Sequence, residues 1–223
     1  MTLFENLALC LDDVPRDGPR QMALDEALLE SVTLPTLRVY RWDGPAVSLG
    51  CSQSLAAVRG LYPHLPLVRR WTGGGIVEHL GDWTFSLIVP TRETLAALRP
   101  TETYRRIHEA LRLALGQLGL VTRLVQADDT RPGAACFSAP ALHDIHNAQG
   151  EKLCGGAQRR TRRGFLHQGS IQQVAVPEGF GRRVAETLAS KITTPAVEAL
   201  PTERAEFLSR EKYAARAWTE KIL

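Results

Sequence analysis

Residues 142–173 read LHDIHNAQGEKLCGGAQRRTRRGFLHQGSIQQ, and this stretch decides the fold class. It holds three β-prone runs, Leu142–Asn147, Lys152–Arg160 and Phe165–Gln173. Between them lie two turn-forming triplets, Ala148-Gln149-Gly150 and Arg162-Arg163-Gly164. Runs of this length joined by short glycine-containing connections predict an antiparallel meander.

Working outward, Leu24, Ala27, Leu28 and Ser31 recur at three- and four-residue steps within Gly18–Ser31, with Asp25, Glu26 and Glu30 on other faces, which predicts a first helix. Leu37–Trp42 and Ala46–Leu49 flank Asp43-Gly44-Pro45 and predict a hairpin. Leu65–Arg70 and Trp83–Val89 are further β-rich runs, bridged by a loop that contains Gly73, Gly74 and Gly75. Tyr104, Ile107, Leu111, Leu115 and Leu118 share one face of a helical period that opens at Thr101 and stops at Gly119. Val121–Val125 predicts a strand, and the polar residues that follow predict an exposed loop ending at Cys136. Helical stretches at about 178–191 and 202–222 close the chain around Pro195 and Pro201. Together these elements predict an α+β fold, a mixed and largely antiparallel sheet flanked by helices, in a single domain over residues 1–223. A Rossmann-type fold is disfavoured, because the glycine triplet lacks the G-x-G-x-x-G spacing and its following helix.

Composition narrows the class. With 44% apolar residues in 223, one core is affordable. No apolar run approaches the roughly 18 residues of a membrane span, and the first residues lack a signal-peptide pattern, so a cytoplasmic protein without a membrane partner is expected. The four cysteines, Cys10, Cys51, Cys136 and Cys154, are too sparse for a disulfide scaffold. A net charge of +3 is too mild to imply nucleic acid. The one basic cluster, Arg159, Arg160, Arg162 and Arg163, comes without an aromatic platform. It reads either as a docking tip for acidic partners or as a solvated turn. His143 and His146 would face opposite sides of a strand, so no metal site is expected.

Three segments carry chemistry. Arg69 to His79, RRWTGGGIVEH, joins guanidinium groups to backbone without side chains, a combination suited to a carbonyl, carboxylate or phosphate; the alternative is a tight loop beside a surface arginine pair. In Lys152 to Arg159, KLCGGAQR, a lysine enters a strand of small residues that leave space above a sheet. There its ammonium could bind an acyl carbonyl and, desolvated, take part in proton transfer; taken alone it reads as a solvated strand-end lysine. Cys136 precedes Phe137-Ser138-Ala139-Pro140 and is either a nucleophile or a small buried hydrophobe.

The order and spacing of these segments resemble the lipoate–protein ligase and octanoyltransferase family. The resemblance also takes in His167-Gln168-Gly169-Ser170, the first-helix segment Gln21–Leu28 and the segment Arg41–Gly50, so it spans roughly Gln21 to Gln173. It implies a sheet and helices like the catalytic domains of biotin ligases and class II aminoacyl-tRNA synthetases. It further implies that Arg69, Arg70, Gly73, Gly74, Gly75 and His79 cover an acyl group, that Gly155, Gly156, Ala157, His167 and Gly169 line its site, and that Lys152 holds the acyl carbonyl. Cys136-Phe137-x-x-Pro140 is similar to the nucleophile segment of the Cys-dependent octanoyltransferases. The implied reaction moves an octanoyl or lipoyl group from acyl carrier protein through a Cys136 thioester to a lysine of a lipoyl-domain or glycine-cleavage H-type protein, with no cofactor. The second reading is an ATP- and magnesium-dependent lipoate ligase working alone or with a partner chain, biotin ligation being a lesser variant. The third is a silent carrier-protein binder. Where the family commonly continues the glycine loop with His-Asp, this chain has His79-Leu80-Gly81-Asp82, which leaves the roles of Glu78, His79 and Asp82 open; Cys154 stands where a small residue is usual.

Overall fold

The computed structural model describes residues 2–126 and 141–221. In chain order the elements are β1 (Phe4–Arg16), α1 (Gly18–Ser31), β2 (Thr36–Trp42), β3 (Ala46–Leu49), α2 (Leu55–Leu61), β4 (Leu67–Arg69), β5 (Val77–His79), β6 (Trp83–Pro90) and α3 (Pro100–Gly116). There follow β7 (Thr122–Leu124), β8 (Ile145–Asn147), β9 (Lys152–Thr161), β10 (Gly164–Ile171), α4 (Phe180–Leu188), β11 (Ala189–Thr193), α5 (Thr202–Leu208) and α6 (Arg216–Thr219). Eight strands form one sheet in the order β11-β1-β2-β6-β10-β9-β8-β7, and β4-β3-β5 form a second.

The expected meander is present: β8, β9 and β10 pair antiparallel in sequence, and β10 continues antiparallel onto β6. The α+β expectation holds with them. The hairpin expected across Asp43-Gly44-Pro45 does not form. Both edges of β2 are occupied, by β1 in parallel and by β6 in antiparallel pairing, so β3 leaves for the small sheet and pairs with β4 and β5. Two parallel strands escaped the sequence reading. β1 lies between β11 and β2 with both partners parallel, and β11 occupies the tail of the helix expected at 178–191. The helix expected at 202–222 breaks into α5, a π-helical turn over Ser209–Tyr213, and α6.

Helices cover both faces of the large sheet. On one, α3 and α4 bury Ile107, Leu111, Leu115, Val184 and Leu188 against Leu7, Leu9, Phe85, Leu87 and Phe165. Each such side chain contributes about 1.5–3 kcal/mol relative to exposure. On the other, α1 and α5 pack Met22, Leu24, Ala27 and Leu208 against Ile88 and Leu166. α1 begins where the Asp17 side chain accepts the Arg20 N–H at 3.0 Å, a standard N-cap. Asp25 and Glu26, on other faces of α1 than Leu24, Ala27 and Leu28, are buried as well. Arg38 on β2, fully buried, donates to Asp25 at 2.8 Å and to Asp12 at 2.7 Å, which bolts the helix to the sheet. Glu26 receives Lys212 at 2.6 Å and the Tyr213 hydroxyl at 2.5 Å, so the π-helical turn closes over α1. Among the described residues no helix is long and apolar enough to cross a membrane.

Candidate active site

A narrow cleft lies where β6, β9 and β10 meet the small sheet and the arginine–glycine loop. Its wall is largely apolar and includes Met22, Tyr40, Trp42, Val77 and Ala157. That composition, with a few fixed polar groups, is the usual character of a small-molecule site.

Arg70 organises the loop. Its guanidinium lines the cleft and donates to the Gly73 carbonyl at 2.9 Å, the Gly75 carbonyl at 2.7 Å and the Ser48 hydroxyl at 2.8 Å. Gly74 takes φ +82°, a conformation that favours glycine, and it too lines the cleft. A Cβ on Gly50 would stand 2.1 Å from the Gly74 carbonyl oxygen, so glycine at 50 lets the loop close onto β3. Arg69 does a different job. It lies outside the cleft lining and spends its donors on the carbonyls of Gly50, Cys51, Gln53 and Thr219, tying β4 to the C-terminal turn.

His79 bridges Ser48 and Asp82: its Nε2 is 2.8 Å from the Ser48 hydroxyl and its Nδ1 is 2.9 Å from the carboxylate. The ring stacks on Trp42 with centroids 3.9 Å apart. Asp82 also accepts from Thr84 at 2.9 Å and Ser170 at 2.5 Å. Burial alone would raise the Asp82 pKa, but the His79, Ser170 and Thr84 hydrogen bonds outweigh it and hold the group below its usual range. The pair left open by the family pattern is thus one relay that also positions Arg70 through Ser48.

The small residues of β9 and β10 have a second reason beyond room for a ligand. A Cβ at Gly155 would lie 2.5 Å from Lys152 Cε, one at Gly156 2.6 Å from His167 Nε2, and one at Gly169 2.3 Å from the Phe85 ring. Gly155, Gly156, Ala157 and Gly169 line the cleft. The His167 side chain does not. It faces α3, in ring contact with Tyr104 and His108, where burial foremost and then His108 push its pKa well down and keep it neutral. Its neighbour Gln168 faces the cleft instead, donating to Asp25 at 2.7 Å and accepting from Thr72 at 2.7 Å. Strand alternation was legible in the sequence, but the side that holds the cleft was not.

Lys152 is buried at the start of β9, and its ammonium is 2.7 Å from Asp144. The Tyr104 hydroxyl donates to the same carboxylate at 2.5 Å and accepts the Gly156 N–H at 2.9 Å. Burial first, then Asp144, raises the Tyr104 pKa far above its usual value, so it stays a donor. Asp144 and Tyr104 had no local signal in the sequence. Cys136, with Phe137 and Pro140, lies outside the described residues. The basic cluster occupies the far half of the β9–β10 hairpin, from about 13 Å along the strand from Gly155 at Arg159 out to the turn, at ~3.3 Å per residue. There Arg160 donates to Ala96 and Thr103, and Arg163 to the Glu30 carbonyl.

This sheet arrangement is the fold of lipoate protein ligases. The bipartite lipoate protein ligase of Thermoplasma acidophilum, solved as part of a system with its E2 lipoyl domain, superposes with TM-score 0.65 over 99% of this chain and 98% of its own, at 24% identity. The chain belongs to the lipoyl protein ligase A/B catalytic domain family, whose model matches residues 17–211. Among curated relatives, octanoyltransferase LipM of Symbiobacterium thermophilum is 35% identical over 92% of this chain and 83% of its own length. The LipM of Oceanobacillus iheyensis is 34% identical over 72% of this chain, which spans 62% of that relative.

Proposed function

We propose that this chain moves an octanoyl, or lipoyl, group from acyl carrier protein through a thioester on Cys136 to a lysine of a lipoyl-domain or glycine-cleavage H-type protein. The observation that carries the reading is the pairing of relatives named octanoyltransferase with a buried lysine beside an apolar cleft. The Cys136 thiolate attacks the acyl thioester, the carrier leaves as its thiolate and takes up the proton Cys136 gave up, and the acceptor amine then displaces the Cys136 thiolate, which takes the amine's proton as the amide forms. Thioester exchange is nearly isoenergetic, so the reaction as proposed needs no ATP and no metal. Lys152 binds the acyl oxygen, where one well-placed donor contributes on the order of 3 kcal/mol to transition-state stabilisation. Arg70 and Gly74 shape the cleft over the acyl chain, and His79, held by Ser48 and Asp82, closes its wall.

Intact-protein mass spectrometry after mixing with octanoyl-acyl carrier protein, without ATP, tests this. An octanoyl increment on the wild type and none on Cys136→Ala supports the covalent route. No increment, with lipoylation of an acceptor that requires ATP, assigns the chain to ligase chemistry instead.

A further inference from the structure

We infer that Asp144, braced by Tyr104, is the positioning residue that holds the Lys152 ammonium against the cleft strand. The inference rests on the reading that Lys152 binds the acyl carbonyl.

The two oxygens of Asp144 meet donors from three parts of the chain. Oδ1 accepts the Tyr104 hydroxyl of α3 at 2.5 Å, while Oδ2 accepts the Ala141 N–H at 2.7 Å and lies 2.7 Å from Lys152 Nζ. A carboxylate held in this way has no second orientation. Tyr104 is itself fixed, since its oxygen receives the Gly156 N–H at 2.9 Å. The chain Gly156, Tyr104, Asp144, Lys152 therefore starts on a cleft residue and returns beside another. A Cβ on Gly155 would stand 2.7 Å from Lys152 Nζ and 3.3 Å from Asp144 Oδ1, so the pair rests directly on the Gly155 backbone.

Space filling does not account for this arrangement. Burying an ion pair is no more favourable than an apolar packing of similar volume, because desolvation offsets the attraction. What the pair provides is a lysine nitrogen fixed in a buried position beside the Gly155 backbone. A group held in place in this way suits a donor to an acyl oxygen.

The test uses Asp144→Asn, which keeps an acceptor for Ala141 and removes the charge, and Tyr104→Phe, which removes one hydroxyl. Two measurements are made on each. In single-turnover acylation by octanoyl-acyl carrier protein, Asp144→Asn should slow the step on the order of 100-fold with KM within about three-fold. In brief labelling with acetic anhydride near neutral pH, read by peptide mapping, Lys152 should be protected in the wild type. It should label several-fold more in Asp144→Asn, while the exposed Lys191 and Lys221 stay constant as internal references. Tyr104→Phe should shift both readouts in the same direction and less. Wild-type acylation rate in Asp144→Asn overturns the inference whatever the labelling shows. Should the wild type itself never acylate, the transferase reading fails, and labelling alone judges whether Asp144 holds the ammonium: unchanged Lys152 labelling overturns it. If Asp144→Asn does not fold, the same two measurements on Tyr104→Phe decide.

Discussion

Acidification should weaken this fold through two buried histidines, and the size of the effect follows from the structure. His108 and His167 lie under β9 and β10 with ring centroids 5.3 Å apart, both fully buried, and neither Nε2 meets a hydrogen-bond partner among the described residues. For His108, burial is the main cause of a pKa lowered to about 3, partly opposed by its bond to the His143 carbonyl. In the unfolded chain the group titrates near 6.5. A histidine whose folded pKa is depressed contributes its stability above the unfolded pKa and loses it as pH falls, because only the unfolded state gains protons there. Between about pH 7.5 and about pH 5, His108 alone should remove about 2 kcal/mol. His167 acts in the same direction. The assay is urea unfolding followed by far-ultraviolet circular dichroism at both pH values, on the wild type and on His108→Asn. The asparagine keeps a donor for the His143 carbonyl and removes the titration. The variant should lose about 2 kcal/mol less than the wild type over that interval. Equal losses in the two proteins would refute the reasoning.

Arg38→Met leaves Asp12 and Asp25 without the cation between them, and urea unfolding at neutral pH should show a loss of about 3–5 kcal/mol. Gly169→Ala places a Cβ 2.3 Å from the Phe85 ring, which is packed and cannot withdraw, and should lower stability by about 1–3 kcal/mol in the same assay. Gly155→Ala places a Cβ 2.5 Å from Lys152 Cε and 3.3 Å from Asp144 Oδ1, against the buried ion pair, and should lower stability by about 1–3 kcal/mol. Displacing that ammonium should also slow acylation at least about 10-fold in the mass-spectrometric assay.

The sequence by itself determined the local elements and the chemistry to look for. The turns at Ala148-Gln149-Gly150 and Arg162-Arg163-Gly164 lie beside the strands they join, and the apolar face of α3 repeats within one segment, so both were legible from neighbouring residues. So were the glycine loop, Lys152 and the small residues of β9. Tertiary structure alone decided the rest. Parallel pairing leaves no short-range mark, because the partners of β1 are β2 and β11, the latter almost the whole chain away. Alternation separates His167 from Gln168, but only the packing of α3 on one side and of α1 and the small sheet on the other shows which of them meets the cleft. The same holds for charge. Asp25, Arg38, Asp144 and Lys152 look like ordinary surface residues in isolation, and each is buried because folding packs it against a partner of opposite charge that offsets the cost of desolvation.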